Sequence, residues 1–192
     1  MHRGLRATTS GQRAEIDVAR RINRMPRNLH VATWRRTRTR RLHSAILGAM
    51  KLYFAGPLFT TPERTWNAEV TAALRAAGHE VFLPQEQEPG KDRAGIFATD
   101  VGGIDWADGL VAIMDGPDPD SGTCWEVGYG FGLKKWIVLV RTDIRALAGS
   151  DGDYNSMLIG AATIRIDMPA ATTVQVSARI LGALARIETG SA

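Results

Sequence analysis

The chain has 192 residues, 44% hydrophobic and 23% charged, the balance of a globular domain with room for one core and an appendage. No apolar run approaches the roughly 18 residues that a membrane span needs, and the single cysteine, Cys124, excludes an internal disulfide and a cysteine-based zinc cluster. The net charge of +4 hides a division: residues 1–50 hold twelve arginines against Glu15 and Asp17, whereas residues 51–192 hold twelve Lys/Arg against eighteen Asp/Glu.

Residues 1–49 form an Arg-rich extension with little sustained periodicity, although residues 14–25 suit a short basic helix. The clusters Arg35-Arg36 and Arg38, Arg40, Arg41 fit a polyanion-binding arm or an Arg-rich, acid-poor targeting segment. The plainer expectation is a disordered extension, of the kind produced when a start codon is assigned upstream of the real one. A compact domain would then begin at Met50, and the charge block is no basis for a nucleic-acid function.

From Lys51 the pattern becomes orderly. Leu52-Tyr53-Phe54-Ala55-Gly56 reads as a short apolar strand that ends in the loop signal Gly56-Pro57. Pro62 and Glu63 suit the first turn of a helix, with Ala68, Val70, Ala73, Leu74 and Ala77 as its apolar face and Gly78 as its C-terminal glycine. Val81-Phe82-Leu83 is a second strand, closed by Pro84. Residues 85–94 are polar, carry Pro89 and Gly90, and are expected as a surface loop over the site. Residues 96–107 then read as a helix with Ile96, Val101, Ile104 and Trp106 facing inward.

A buried strand at residues 109–114 leads into a turn-rich segment with Pro117 and Pro119, and a helix is expected over 123–133. Residues 135–140 form another buried strand, and a long loop over 141–154 leads to Asn155-Ser156-Met157. Residues 162–166 are a candidate edge strand and 174–187 a closing amphipathic helix. Strands alternating with helices predict a single α/β domain over residues 50–192, built on a doubly wound parallel sheet covered on both faces.

The segment after the 109–114 strand stands at the carboxyl edge of such a sheet, where ligands bind. Glu126 is expected in the first turn of the following helix, where the macrodipole favours its ionised form. Thr123 or Ser121 is the expected N-cap, and Thr123-x-x-Glu126 also spells a capping box, a structural pattern with no chemistry attached. Asp115, Asp118 and Asp120 offer hard oxygens of the kind that bind Mg²⁺. The EF-hand spacing fails, however, and no metal or cofactor is expected. Asp100 and Asp108 read equally well as solvated or capping aspartates.

Gly128-x-Gly130-x-Gly132 lies inside a helical pattern, so it is no dinucleotide fingerprint, and no P-loop sequence occurs. No histidine lies near the segment, which argues against a serine–histidine triad and leaves Cys124 a packing residue. What remains is two or three carboxylates with the hydroxyl of Tyr53 at a strand end. Such a set suits glycosyl transfer, in which one carboxylate attacks the anomeric carbon and another group protonates the leaving group.

Four blocks in order then resemble the nucleoside 2-deoxyribosyltransferases: Tyr53-Phe54-Ala55-Gly56-Pro57-Leu58-Phe59, Asp100 with Asp108, Asp120-Ser121-Gly122-Thr123-Cys124-Trp125-Glu126-Val127-Gly128-Tyr129, and Asn155-Ser156-Met157-Leu158. The resemblance implies a flavodoxin-like fold and ping-pong transfer of 2-deoxyribose between bases. It assigns Glu126 as nucleophile, Tyr53 as the residue that orients it, and Asp100 and Asp120 to base and sugar contacts, one of them protonating the departing base. Asn155 would reach a neighbouring subunit's sugar, which implies a homo-oligomer with shared active sites, and Phe59 and Met157 would line the pocket. Gln85 and Gln87 both stand near the place of a pocket glutamine. Gly130 departs from an expected alanine. The partners implied are a deoxynucleoside and a free nucleobase, in a cytoplasmic salvage role with no membrane association. Related deoxynucleoside 5′-monophosphate N-glycosidases share the fold and the glutamate but have a glycine- and arginine-rich first loop. Here that loop, Gly56-Pro57-Leu58-Phe59-Thr60-Thr61, has no basic residue before Arg64, which favours an unphosphorylated nucleoside. A non-catalytic nucleoside-binding module is the remaining rival.

Overall fold

The computed structural model describes residues 48–116, 118–144 and 155–192. The Arg-rich arm therefore lies outside the described residues apart from Gly48 and Ala49, as do Pro117 and most of the loop leading to Asn155. The described strands are β1 (Lys51–Ala55), β2 (Glu80–Phe82), β3 (Gly109–Ile113), β4 (Trp136–Arg141) and β5 (Ile164–Asp167). They form one parallel sheet in the order β2-β1-β3-β4-β5. This is the doubly wound, flavodoxin-like order, and the chain's path reverses between β1 and β3, opening a crevice at their carboxyl ends. The described helices are α1 (Thr61–Ala76), α2 (Pro84–Gln87), α3 (Arg93–Trp106), α4 (Ser121–Gly132), α5 (Ser156–Ala161) and α6 (Thr173–Glu188).

Every residue of β3 and β4 is buried, as expected of central parallel strands with helices on both faces. Residue parity divides the side chains between two layers. Leu52, Phe54, Val111, Val138 and Val140 pack with Val70 and Leu74 of α1 and Ile180 and Leu184 of α6. Tyr53, Leu110, Ala112, Ile137 and Leu139 pack on the other side with Ile104 of α3, Val127 of α4 and Leu158 of α5. Tyr53 is thus committed to the α3–α4 layer by its place in the alternation.

At α1 Pro62 and Glu63 do fall in the first turn and Gly78 takes φ +98° after the helix; the structure adds a reciprocal capping box between Thr60 and Glu63. Its buried stripe differs from the expected one. Asn67, Val70, Thr71 and Leu74 are buried, whereas Ala68 and Ala77 are exposed. Spacing by three and four around Val70 and Leu74 sets the stripe, and the buried Asn67 amide is satisfied by donating to the Pro57 carbonyl at 2.9 Å.

Other elements also depart from expectation. The segment after β2 opens as the short helix α2, because Pro84 supplies the φ of a first helical turn. α3 begins at Arg93, earlier than expected, because Asp92 caps it by accepting from the Gly95 N–H at 2.8 Å. Trp106, expected inward, is 37% exposed, lying beside Phe82 and under the ammonium of Lys51. Residues after Asn155 open α5.

Gly109 sits directly opposite Trp136 in the β3–β4 register, and a Cβ there would stand 2.1 Å from the indole ring. Trp136 is buried and cannot swing away freely. Gly109→Ala is expected to cost about 1–3 kcal/mol by overpacking. Gly182→Ala, where nothing lies within 4 Å, is expected to stabilise α6 by up to about 1 kcal/mol. Denaturant unfolding of both variants tests the pair of signs.

Candidate active site

Tyr53 is fully buried in β1, and its hydroxyl donates to Glu126 Oε1 at 2.6 Å across 73 residues of sequence. Its ring stacks on Phe82, with centroids 5.5 Å apart and planes at 16°. Packing therefore fixes the ring, and the ring aims the hydroxyl. Burial and the facing Glu126 carboxylate push the Tyr53 hydroxyl far above its ordinary range, so it acts as a donor at any working pH.

Glu126 does not cap its helix. Asp120 is the N-cap of α4, accepting from the Thr123 N–H at 2.8 Å and the Thr123 hydroxyl at 3.1 Å. Helix α4 thus begins at Ser121, and the expected Thr123–Glu126 box is replaced by an aspartate cap. Glu126 falls in the second turn and turns inward to Tyr53. Burial pushes its carboxyl up to about 8, against the opposing hydrogen bond from Tyr53; Asp100, Asp120 and Glu88 add repulsion in the same upward direction. The macrodipole argument for a readily ionised Glu126 gives way to desolvation, which dominates away from the first turn.

Asp100 comes from α3, half-buried, with its Oδ1 atom enclosed and lacking a hydrogen-bond partner. Burial first, then the charge and hydrogen bond of Glu88, raise it to about 6, while Lys91 works in the other direction. The structure therefore brings together Tyr53, Glu126, Asp100 and, through its charge, Asp120. Glu88 was not among the sequence candidates; a glutamate in a polar Pro/Gly-flanked stretch carries no periodic signal that would distinguish it.

The other expected residues are arranged differently. Gln85 is tied to α1: its Nε2 donates to the Arg64 carbonyl at 2.9 Å, and its Oε1 accepts from Asn67 at 3.4 Å. Gln87 is exposed at the end of α2. Asn155 caps α5, accepting from the Met157 N–H at 2.8 Å, and Met157 and Phe59 are 81% and 73% exposed. Among the described contacts none links these residues to the Tyr53–Glu126 pair.

Asp108 accepts from the Lys51 N–H at 2.9 Å, at the amino end of β1, and so belongs to the scaffold. Asp115 clamps the end of β4, accepting from the Thr142 N–H and hydroxyl and from the Asp143 N–H. No group of three or more metal-ligating side chains occurs among the described residues. Cys124 is half-buried, and burial pushes its thiol up, away from the thiolate form that a nucleophile needs. Beside the site, Phe97 of α3, Trp125 and Tyr129 form an aromatic cluster, with centroid spacings of 5.4 and 5.3 Å. Trp125 and Tyr129 are one helical turn apart, a spacing visible in the sequence.

The family model described as nucleoside 2-deoxyribosyltransferase matches residues 52–175. Among solved structures, a 2-deoxyribosyltransferase from Bacillus psychrosaccharolyticus is similar at 25% identity and TM-score 0.53, over 68% of this chain and 90% of that one. A conserved protein from Enterococcus faecalis V583 gives TM-score 0.54 at 24% identity, over 69% of this chain and 98% of that one. The CMP N-glycosidase of Clostridium botulinum gives TM-score 0.50 at 16% identity, over 67% and 95%. The last two are likenesses of fold. No curated protein matches the sequence. Among the described residues, no helix is long and apolar enough to cross a membrane.

Proposed function

The chain belongs to the nucleoside 2-deoxyribosyltransferase family, and from that premise we propose that it transfers 2-deoxyribose between nucleobases through a covalent ester on Glu126. The observation that carries this reading is the 2.6 Å hydrogen bond from Tyr53 to Glu126 Oε1. It holds one carboxylate oxygen and leaves Oε2 to attack. In the first half-reaction Glu126 bonds to the anomeric carbon, the bond from that carbon to the base nitrogen breaks, and its electron pair leaves with the base. Asp100 supplies a proton to the departing base. An incoming base then attacks the same carbon, releases Glu126 and returns a proton to Asp100, so the sugar configuration is retained.

The productive form has Glu126 ionised and Asp100 protonated. With Asp100 pushed up to about 6 and Glu126 to about 8, kcat/KM is expected to rise to about pH 6, hold a plateau and fall above about pH 8. The height of that plateau follows from how far apart the two values lie. A pH profile with both limbs below pH 6 would contradict the assignment.

The substrates in this reading are an unphosphorylated deoxynucleoside and a free base, in a salvage role in the cytoplasm, without cofactor. The exposure of Asn155, Met157 and Phe59 supports completion of the pocket by a second copy of the chain. The test is chromatography of deoxyinosine incubated with the protein, with and without adenine. Deoxyadenosine formed only when adenine is present is the expected result; hypoxanthine released equally in both tubes would make the protein a hydrolase.

A further inference from the structure

Gly103 is buried on the inner face of α3, three residues after Asp100. A Cβ at this position would stand 2.6 Å from one atom of the Phe82 ring and 2.8 Å from two others. No side chain fits there without moving that ring. Phe82 is paired with Tyr53 in the β1–β2 register, and residues paired in this way project to the same face of the sheet. The two rings therefore stack, with centroids 5.5 Å apart and planes at 16°. Trp106, one helical turn beyond Gly103, lies on another side of Phe82 at 6.5 Å, with the Lys51 ammonium 5.4 Å from the centre of its own ring. Phe82 is thus flanked by Gly103, Trp106 and Tyr53. A methyl group on Gly103 would push the ring off α3, and in a packed layer that displacement is passed on to Tyr53. The adjacent Gly102 is exposed and has nothing within 4 Å of a Cβ, so the requirement belongs to Gly103 alone of the two.

We propose that Gly103 is a positioning residue for the transfer chemistry: the side chain it lacks lets the Phe82 ring lie flat on Tyr53, and that stack keeps the Tyr53 hydroxyl on Glu126. The inference rests on the transfer reading above, with Glu126 as the nucleophile. The hydroxyl donates to Glu126 Oε1 at 2.6 Å from the far end of the tyrosine ring, where a small tilt of the ring produces the largest movement. A hydrogen bond to a carboxylate is short and directional, and it weakens steeply as it bends. Gly103 has no side chain to offer the substrate. It acts through two rings.

The test is the kcat/KM pH profile of the full chain against Gly103→Ala, with Gly102→Ala as the control for a methyl group added to the same helix. Gly103→Ala should lower the plateau about tenfold and move the alkaline limb up by about one unit from about 8. Asp100, Asp120 and Glu88, whose charges also act on Glu126, are retained in that variant. Gly102→Ala should reproduce the parent profile. In the Tyr53→Phe background Gly103→Ala should cost less than about twofold, because the hydroxyl through which it acts is gone. Thermal unfolding checks that each variant folds. If Gly103→Ala does not, Phe82→Leu, which removes the flat ring and adds no bulk, carries the same test with the same direction of shift. Losses that multiply in the double variant, or an alkaline limb that stays at the parent's position, would overturn the proposal. NMR titration of isotope-labelled glutamate carboxyls reads the movement of Glu126 without turnover. A chain that shows this movement but no transfer would leave the positioning role standing and sink the transfer reading alone.

Discussion

Glu126→Ala is expected to lower kcat by at least about 10³-fold, because it removes the group that bonds to the sugar rather than one that adjusts it. The buried hydroxyl of Tyr53 and the raised carboxyl of Asp100 would remain, but neither can carry the sugar between bases. Rapid quenching and intact-mass spectrometry separate the alternatives. The parent should gain the mass of one deoxyribosyl group after incubation with deoxynucleoside alone, and the variant should not. Unchanged turnover in Glu126→Ala would refute the mechanism and move the protein toward a binding role.

The same residue carries a stability cost whose sign follows from its environment. Burial lifts the folded-state value of Glu126 to about 8 from an ordinary 4.5. The folded chain therefore holds this proton more tightly than the unfolded chain. The stabilisation is fully present below pH 4.5 and is lost as pH rises through 8. Glu126→Gln has no proton to lose. It should unfold near the parent's temperature at acid pH and above it at pH 8.5, by an amount on the order of 1–3 kcal/mol once the open face of the site is allowed for. A gap that stays constant from acid to alkaline pH would show that desolvation of Glu126 is not its cause. A stabilised but inactive variant is the pattern of a carboxylate kept for chemistry.

Tyr53→Phe is the second large effect. Phenylalanine fills the same space and retains the stack on Phe82, so the fold is expected to persist. What disappears is the donor at 2.6 Å, the interaction that holds the Glu126 value down against burial. A hydrogen bond to a charged group contributes about 1.5–3 kcal/mol, so the Glu126 value should climb by roughly one to two units. The consequence is specific: kcat/KM on the plateau falls about 10–10²-fold, and the alkaline limb moves up from about 8. The parent and variant profiles should therefore converge at high pH. A uniform loss across the pH range would assign Tyr53 a role in substrate binding instead.

The sequence alone determined the five strands in order, four of the six described helices, the parallel doubly wound sheet and the family. Those rest on local information. Unbroken apolar runs at 109–113 and 136–140 make central strands. Gly78 and the Thr60–Glu63 box mark the ends of α1, and the Asp120-to-Tyr129 block survives intact in one stretch of chain. The departures share a cause. At α4 Asp120, Ser121 and Thr123 are all cap-forming residue types within four positions, and only backbone geometry made Asp120 the cap, with the Thr123 N–H as its donor. Ala68 faces outward and Asn67 inward because helix rotation is fixed by what α1 packs against, not by hydropathy alone. The exchange of a capping role for an inward one at Glu126 depends on Tyr53, 73 residues earlier, and on the depth at which the sheet holds both. Residue identities set which groups can ionise, but tertiary placement decides which groups share a pocket and how much solvent reaches them, and hence which carboxyls keep their protons.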